Sequence, residues 1–245
     1  MGGQADRRTG GLKGRRWVVL IGAVLLSAGP AVRPSACQVG YPPDQSPYHD
    51  IKSGATIVFG AGHLGGGHGV VGVGPSDGDV FGVRYERPLN HTLGFSVNVA
   101  NALTTRLLVD PTKDSISRTS GPVDNAVIIV DAGFHMVLTG GKTWHGIAPY
   151  LGISVGAAFS TRVPSDTSEY AFGTKVTFGP QLGLRWYVAR GVSLRADGQV
   201  LFWRLSYPLQ YREPAPDGSR VLSTTSALTE WTRHPWLSVG VGWTF

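Results

Sequence analysis

From residue 54 onward, hydrophobic and polar side chains alternate with a period of two in eight stretches: 54–64, 79–87, 92–103, 125–138, 146–159, 173–188, 192–205 and 235–245. Period-two alternation is the signature of an extended strand with one face toward an apolar environment and the other toward a polar one. In 173–188, Val176, Phe178, Leu182, Leu184, Trp186 and Val188 share a face, against Lys175, Thr177, Gln181, Arg185 and Tyr187. The stretch 192–205 repeats this, with Val192, Leu194, Ala196, Val200 and Phe202 opposed to Ser193, Arg195, Asp197 and Gln199. In 125–138, Ile128, Val130, Ala132, Phe134, Met136 and Leu138 oppose Asp131, Gly133 and His135; in 79–87, Phe81, Val83 and Tyr85 oppose Arg84 and Glu86. Among the residues just named, charge is thus confined to one face. Each stretch also reaches the roughly 9–11 residues that a tilted membrane strand needs.

The connections alternate as well. Those at 88–91, 139–145 and 189–191 are short and rich in turn residues, whereas 65–78, 104–124, 160–172 and 206–234 are long. A soluble β-sandwich has no reason to collect every long loop at one end, but a membrane barrel has short turns on one side and long loops on the other. The expected fold is therefore all-β: a closed antiparallel eight-stranded up-and-down transmembrane β-barrel, with both termini on the short-turn side. Trp186, Trp243, Phe245 and Tyr85 are expected at the periplasmic interface, and Phe202, Trp203, Phe159 and Trp236 at the external one.

The last stretch carries its apolar face, Leu237, Val239, Val241, Trp243 and Phe245, to the final residue. A strand closing on an aromatic resembles the carboxyl-terminal signature of bacterial outer-membrane barrels, in which Trp243 and Phe245 imply an assembly signal read by the barrel assembly machinery. Architecture and face pattern over 54–245 are similar to the small OmpA/OmpX- and OmpW-type barrels of Gram-negative bacteria. That resemblance implies residence in the outer membrane, among its lipid and lipopolysaccharide, as a monomer and without a cofactor. It also brings two alternatives: an OmpW-like narrow conduit for small apolar molecules, and a lipid A-modifying barrel enzyme.

Composition agrees with a turn-rich barrel. The chain has 35 glycines and 16% charged residues, and glycine at that frequency argues against long helices. The surplus of 22 basic over 16 acidic residues belongs mostly to the amino terminus. Residues 1–37 hold six Lys and Arg against one Asp, so the remainder has 22 − 6 = 16 basic and 16 − 1 = 15 acidic groups. No basic patch is left for nucleic acid. A basic stretch (Arg7, Arg8, Lys13, Arg15, Arg16), the apolar run 17–28 and small residues after it read as a signal peptide over 1–37, too short to span a bilayer. Cleavage fits after Ala31, Ala36 or Cys37, and Cys37 itself could instead carry lipid. A polar periplasmic segment, 38–53, then leads into the barrel domain, 54–245.

Inward charges, Arg84, Glu86, Asp131, Lys175, Arg185, Arg195 and Asp197, are the expected lumen network. Eight strands leave an interior only wide enough for side chains, and charges buried there must pair, so a plugged polar lumen is expected rather than a pore. Other motifs carry less. Gly60-Ala61-Gly62-His63-Leu64-Gly65, with Asp77 and Asp79 downstream, spells a dinucleotide fingerprint but lacks a following helix. His63 and His68 are too few for a metal. Asp131, His135 and Ser154 suggest a hydrolase set, yet strand residues four apart stand roughly 13 Å apart. The expected role is non-enzymatic: structural, or surface interaction through the long external loops.

Overall fold

The computed structural model describes residues 46–160, 166, 168 and 170–245. The expected signal peptide, the cleavage positions expected for it and Cys37 lie outside the described residues, as does the segment 38–45. Ten strands run in chain order: β1 (Tyr48–Asp50), β2 (Thr56–Leu64), β3 (Gly78–Pro88), β4 (Leu93–Val109), β5 (Thr119–Val137), β6 (Lys142–Trp144), β7 (Ile147–Ser160), β8 (Thr174–Ala189), β9 (Val192–Ser206) and β10 (Thr229–Thr244). A 3-10 turn, Leu209–Arg212, interrupts the last loop.

Every neighbour in the sheet is antiparallel. Pairing runs β7-β5-β4-β3-β2-β10-β9-β8, and β8 pairs back onto β7, so eight strands close a ring without free edges. The first and last strands of the ring meet in register from Trp236↔Leu64 to Thr244↔Thr56. The remaining two strands, β1 and β6, form a small ladder at the short-turn end, Tyr48↔Trp144 to Asp50↔Lys142. The sequence pattern had no alternation there to reveal it.

Closure leaves the apolar faces outside. Phe59, Ile153, Val176, Leu182, Leu237 and Val239 are all exposed, Leu237 to 69%, and such side chains cover the outer surface of every strand. An apolar surface this large is foreign to a soluble monomer, whereas hydrocarbon covers it at no cost, and a closed ring satisfies every backbone group that hydrocarbon would leave unpaired.

Inside, close packing depends on small residues at particular places. A Cβ at Gly183 would lie 2.6 Å from Asp197 Oδ1 and 2.7 Å from the Tyr150 ring, so glycine there makes the room that Tyr150 fills. Gly191, with φ of 79°, supplies the left-handed residue that lets β8 turn directly into β9.

Two expectations about extent are revised. The loop expected over 104–124 is mostly strand, because β4 and β5 continue as a hairpin to Val109 and Thr119. Likewise β10 begins at Thr229, before Pro235. A third revision concerns aromatics: Trp203 and Trp236, expected in the external girdle, point inward and are buried, Trp203 completely.

Candidate functional site: a lumen in two tiers

The inward positions of the strands divide the lumen into a polar tier toward the short turns and an apolar tier toward the long loops. Tyr150, inward on β7, sits at the centre of the polar tier. Its hydroxyl accepts from Arg195 Nη2 at 2.6 Å and Arg84 Nη1 at 3.4 Å, and donates to Asp197 Oδ1 in a short hydrogen bond. The Arg185 and Arg195 guanidiniums lie 4.7 and 5.2 Å from its ring centroid, and the His135 ring meets it edge-on at 5.6 Å.

Glu86 joins two of these arginines, with Oε1 2.6 Å from Arg195 Nη1 and Oε2 3.1 Å from Arg185 Nη2. Asp197 joins the other combination, at 3.5 Å from Arg84 and 3.4 Å from Arg195. Asp131 takes no arginine directly but accepts from Asn98 Nδ2 at 2.9 Å, and Ser154 accepts from Gln199 Nε2 at 2.6 Å. Three arginines (Arg84, Arg185, Arg195) therefore face three carboxylates (Glu86, Asp131, Asp197) within one buried band. Balanced, hydrogen-bonded charge is the condition under which ions are tolerated away from water.

Lys175 departs from the set expected in this band. It lies near the loop end of β8, opposite Ala158, with its ammonium 5.9 Å from the Phe172 ring. Tyr150 is a neutral member that the expected set of charged groups does not include. Its signal was available, since Ala148, Tyr150, Gly152 and Ser154 share the inward parity and only one of them is large.

Above this band the inward residues change character. Leu64, Val80, Val127, Ile129, Leu201 and Leu205 are buried there, and the loops fold back onto them, contributing Val73, Tyr170, Phe172, Tyr207, Tyr211 and Leu222 to the same cluster. Trp203 stacks on His234 at 3.6 Å and meets Phe172 edge-on at 5.8 Å. The His234 ring is fixed from both sides: Nδ1 accepts from Gly67 N at 3.2 Å, and Nε2 lies 2.8 Å from Thr232 Oγ1. A uniformly polar lumen is thus not what the chain builds. Its outer half is packed like the core of a soluble domain, because the loops supply a lid of apolar side chains that a barrel of eight strands alone could not.

The lid is pinned by polar contacts. Arg106 and Asp166 form a close ion pair with side chains 3% and 2% exposed, and the Arg106 guanidinium lies 5.4 Å from the Tyr170 ring centroid. Burial pushes the Asp166 carboxyl up, but hydrogen bonds from Ser168 and Arg106 outweigh it and hold the group below its ordinary value. Tyr207 bonds Glu230, whose Oε1 also accepts from Val70 N at 2.8 Å, tying the β2–β3 loop to β10. Burial pushes the Tyr211 hydroxyl up to about 12; it donates to Val109 O at 3.3 Å. Asp217 accepts from Ser115 N at 2.8 Å and Ser219 N at 2.9 Å, fastening the β4–β5 hairpin to the last loop.

Below the polar band, a vestibule of about 70 Å³ opens at the short-turn end, lined by Lys52, Arg87, His91, His135 and Arg185 among others. Lys52 Nζ donates to Thr244 O at 3.1 Å, drawing the segment before β2 across the mouth. Phe245 N donates to Ala55 O at 3.0 Å, so the terminal aromatic is held beside the first residues of the ring. Its side chain, like that of Trp243, is exposed on the outer face.

The tempting motifs separate. Gly60 to Leu64 of the dinucleotide-like run are strand, not a loop before a helix. His63 lies 3.5 Å from Asp79 on the outer face while His68 is exposed in the loop, and among the described residues no group of three or more His, Cys, Asp or Glu converges on a metal position. Asp131, His135 and Ser154 each take a different partner, as given above, instead of one another.

No protein-family model matches the chain, and no curated protein does. Solved structures share its fold. Neisserial surface protein A is 15% identical, with a TM-score of 0.50 over 82% of this chain and 98% of that one. The outer membrane protein OprG from Pseudomonas aeruginosa is 11% identical, with a TM-score of 0.50 over 80% of this chain and 98% of that one. At these identities the likeness is one of fold: an eight-stranded barrel of the outer-membrane kind.

Proposed function

We propose, from the fold that the chain has in common with small outer-membrane β-barrels, that the protein is a closed, non-enzymatic barrel of the outer membrane that acts through its external surface. Insertion follows from the apolar outer face, and the short turns and both ends of the barrel then lie in the periplasm. The observation that supports the reading is how fully side chains occupy the lumen. Arg84, Glu86, Arg185, Arg195, Asp197 and Tyr150 occupy its inner half in mutual contact, and Trp203 with its neighbours fills the outer half. What remains for interaction is the loop surface.

Reconstitution into a planar bilayer tests the reading. Silence at moderate voltage, from protein that migrates as a heat-modifiable band, is the expected result; steady unitary currents would overturn it. The apolar outer half of the lumen favours a second reading, a conduit for small apolar molecules. Accelerated uptake of an apolar dye into vesicles carrying the protein would support that reading, and uptake equal to that of empty vesicles would oppose it.

A further inference from the structure

The geometry points to the vestibule at the short-turn end of the lumen as a binding site for a free oxyanion of phosphate size, entering from the water beyond the short turns. That this water is the periplasm rests on the outer-membrane reading above; the binding itself does not. Three Lys or Arg residues line the vestibule, Lys52, Arg87 and Arg185, against one carboxylate, Glu86. Glu86 is already shared between Arg185 and Arg195, and the band above it is balanced, so no carboxylate there has charge to spare. Among the described residues neither Lys52 nor Arg87 has a carboxylate within 4.0 Å. A cleft with surplus charge of one sign and protein walls focuses the field of that charge and raises the local concentration of the opposite ion.

Surplus charge at an open rim is met by water, so the stronger mark of a site is a buried donor that lacks an acceptor. Arg185 lines the vestibule, is 9% exposed, and has no hydrogen-bonded partner at Nε or Nη2. Its Nη2 stands 3.1 Å from Glu86 Oε2 as a charge contact only. Buried donors left unmatched in this way are the exception in folded proteins. His135 is 4% exposed and lines the same space from β5. Its ring meets Tyr150 edge-on, and among the described residues it makes no hydrogen bond, so its N–H is free to be given. Gly94 makes room for this ring, since a Cβ there would collide with His135 Nε2. Lys52 closes a third side: its Nζ donates one hydrogen bond, to Thr244 O at 3.1 Å, and an ammonium has three to give.

Size and donor arrangement select the ion. About 70 Å³ is open, against the roughly 10–15 Å³ that a single buried water needs. Donors converge from three walls: Arg185 on β8, His135 on β5 and Lys52 in the segment before β2. Chloride would meet them as one sphere, whereas an oxyanion presents a separate oxygen to each, and a guanidinium matches phosphate oxygens in charge and in fork geometry. An elongated anion has nowhere to extend inward, because Glu86, Arg195 and Tyr150 fill the lumen above in mutual contact. The phosphate of a lipid has the same chemistry, but the donors of β5 and β8 are inward residues, on the side of the wall away from the acyl chains.

Isothermal titration calorimetry of the purified protein in dodecyl maltoside tests the site, with inorganic phosphate as the probe and ionic strength held constant by sodium chloride. The unaltered protein should give a saturable heat for one site. Lys52→Ala should weaken binding about tenfold, equivalent to about 1.4 kcal/mol, and Lys52→Arg should recover most of that loss. Both should keep the heat-modifiable band, because Lys52 is exposed. Arg185→Gln should lose the heat altogether; if that variant does not fold, the Lys52 pair decides. No saturable heat from the unaltered protein, or an affinity that Lys52→Ala leaves unchanged, would overturn the proposal. A second titration in micelles doped with short-chain phosphatidylglycerol separates the two sources of phosphate. An unchanged affinity is expected, whereas loss of the phosphate heat would assign the site to a lipid headgroup and overturn a free ion as its occupant. Failure of the outer-membrane reading shows differently, as absence of heat-modifiable migration in the unaltered protein.

Discussion

Glu86 is the point at which the polar tier can be broken most directly. Its side chain is 5% exposed and bridges Arg195 and Arg185 at 2.6 and 3.1 Å. Glu86→Gln keeps the shape and removes the charge, leaving three arginines against Asp131 and Asp197 in a space too narrow to admit bulk water. Breaking one partner of a buried pair costs about 3–5 kcal/mol, mostly because the remaining charge is stranded. By contrast, Lys113→Ala removes an ion pair at 3.6 Å whose lysine side chain is 56% exposed, and should cost less than about 1 kcal/mol. Reversible urea unfolding in phospholipid vesicles, followed by tryptophan emission and by the heat-modifiable band, measures both. Adding Arg185→Met to Glu86→Gln should recover much of the loss, since the stranded cation goes with its partner. If Glu86→Gln unfolds within about 1 kcal/mol of the parent, and the double variant is no better, then water reaches this band and the account of a sealed lumen is wrong.

Val155→Arg, outward on β7 between Ala132 and Phe178, should cost about 2–4 kcal/mol, because it lies in the middle of the apolar belt. Leu194→Arg should cost only about 0–1 kcal/mol, since Leu194 stands opposite Trp186 two residues past the start of β9; the same urea titration ranks the two, and the reverse order would misplace the belt. Acid should loosen the loop lid. Asp166 has a folded pKa below its ordinary 3.8, so its contribution is complete above that value and is lost as pH falls through the lower folded value. Protease cleavage within 161–173 should therefore rise below about pH 3.8 and remain flat above it, while Asp166→Asn should be cleaved at every pH. Deleting Phe245 should reduce assembly into cell membranes more than refolding into detergent micelles, as judged by the heat-modifiable band in each; equal effects would mean that the terminus serves packing alone.

The ring was legible because hydrocarbon outside and crowded side chains inside impose opposite demands on alternate residues, and a chain meeting both cannot hide its period. What escaped detection did so for identifiable reasons. The outward extension of β4 is broken by a register shift between Arg106 and Leu108, which erases the alternation where the strand leaves the belt. Pro235 read as a strand start, yet β10 runs through it from Thr229. Residue type suggests the girdle for Trp203 and Trp236, but parity groups Trp203 with Arg195 and Gln199, and Trp236 with Ser238 and Gly240. Face parity was the better guide. The lid had no period to read, since Tyr170, Phe172, Tyr207 and Tyr211 come from irregular segments whose apolar residues matter only once the loops meet. In the polar tier the charged members are visible as inward residues, but nothing in a neutral Tyr150 marks it as the group they converge on.

Because Val73, Tyr170, Phe172, Tyr207, Tyr211 and Leu222 come from three separate loops yet share one core, those loops cannot drift independently over evolution. A change that suits one must be accommodated by the others. At the crests, by contrast, Ile116, Val70 and Leu209 stand free of the shared interior, so a substitution there disturbs one loop and leaves the others as they were.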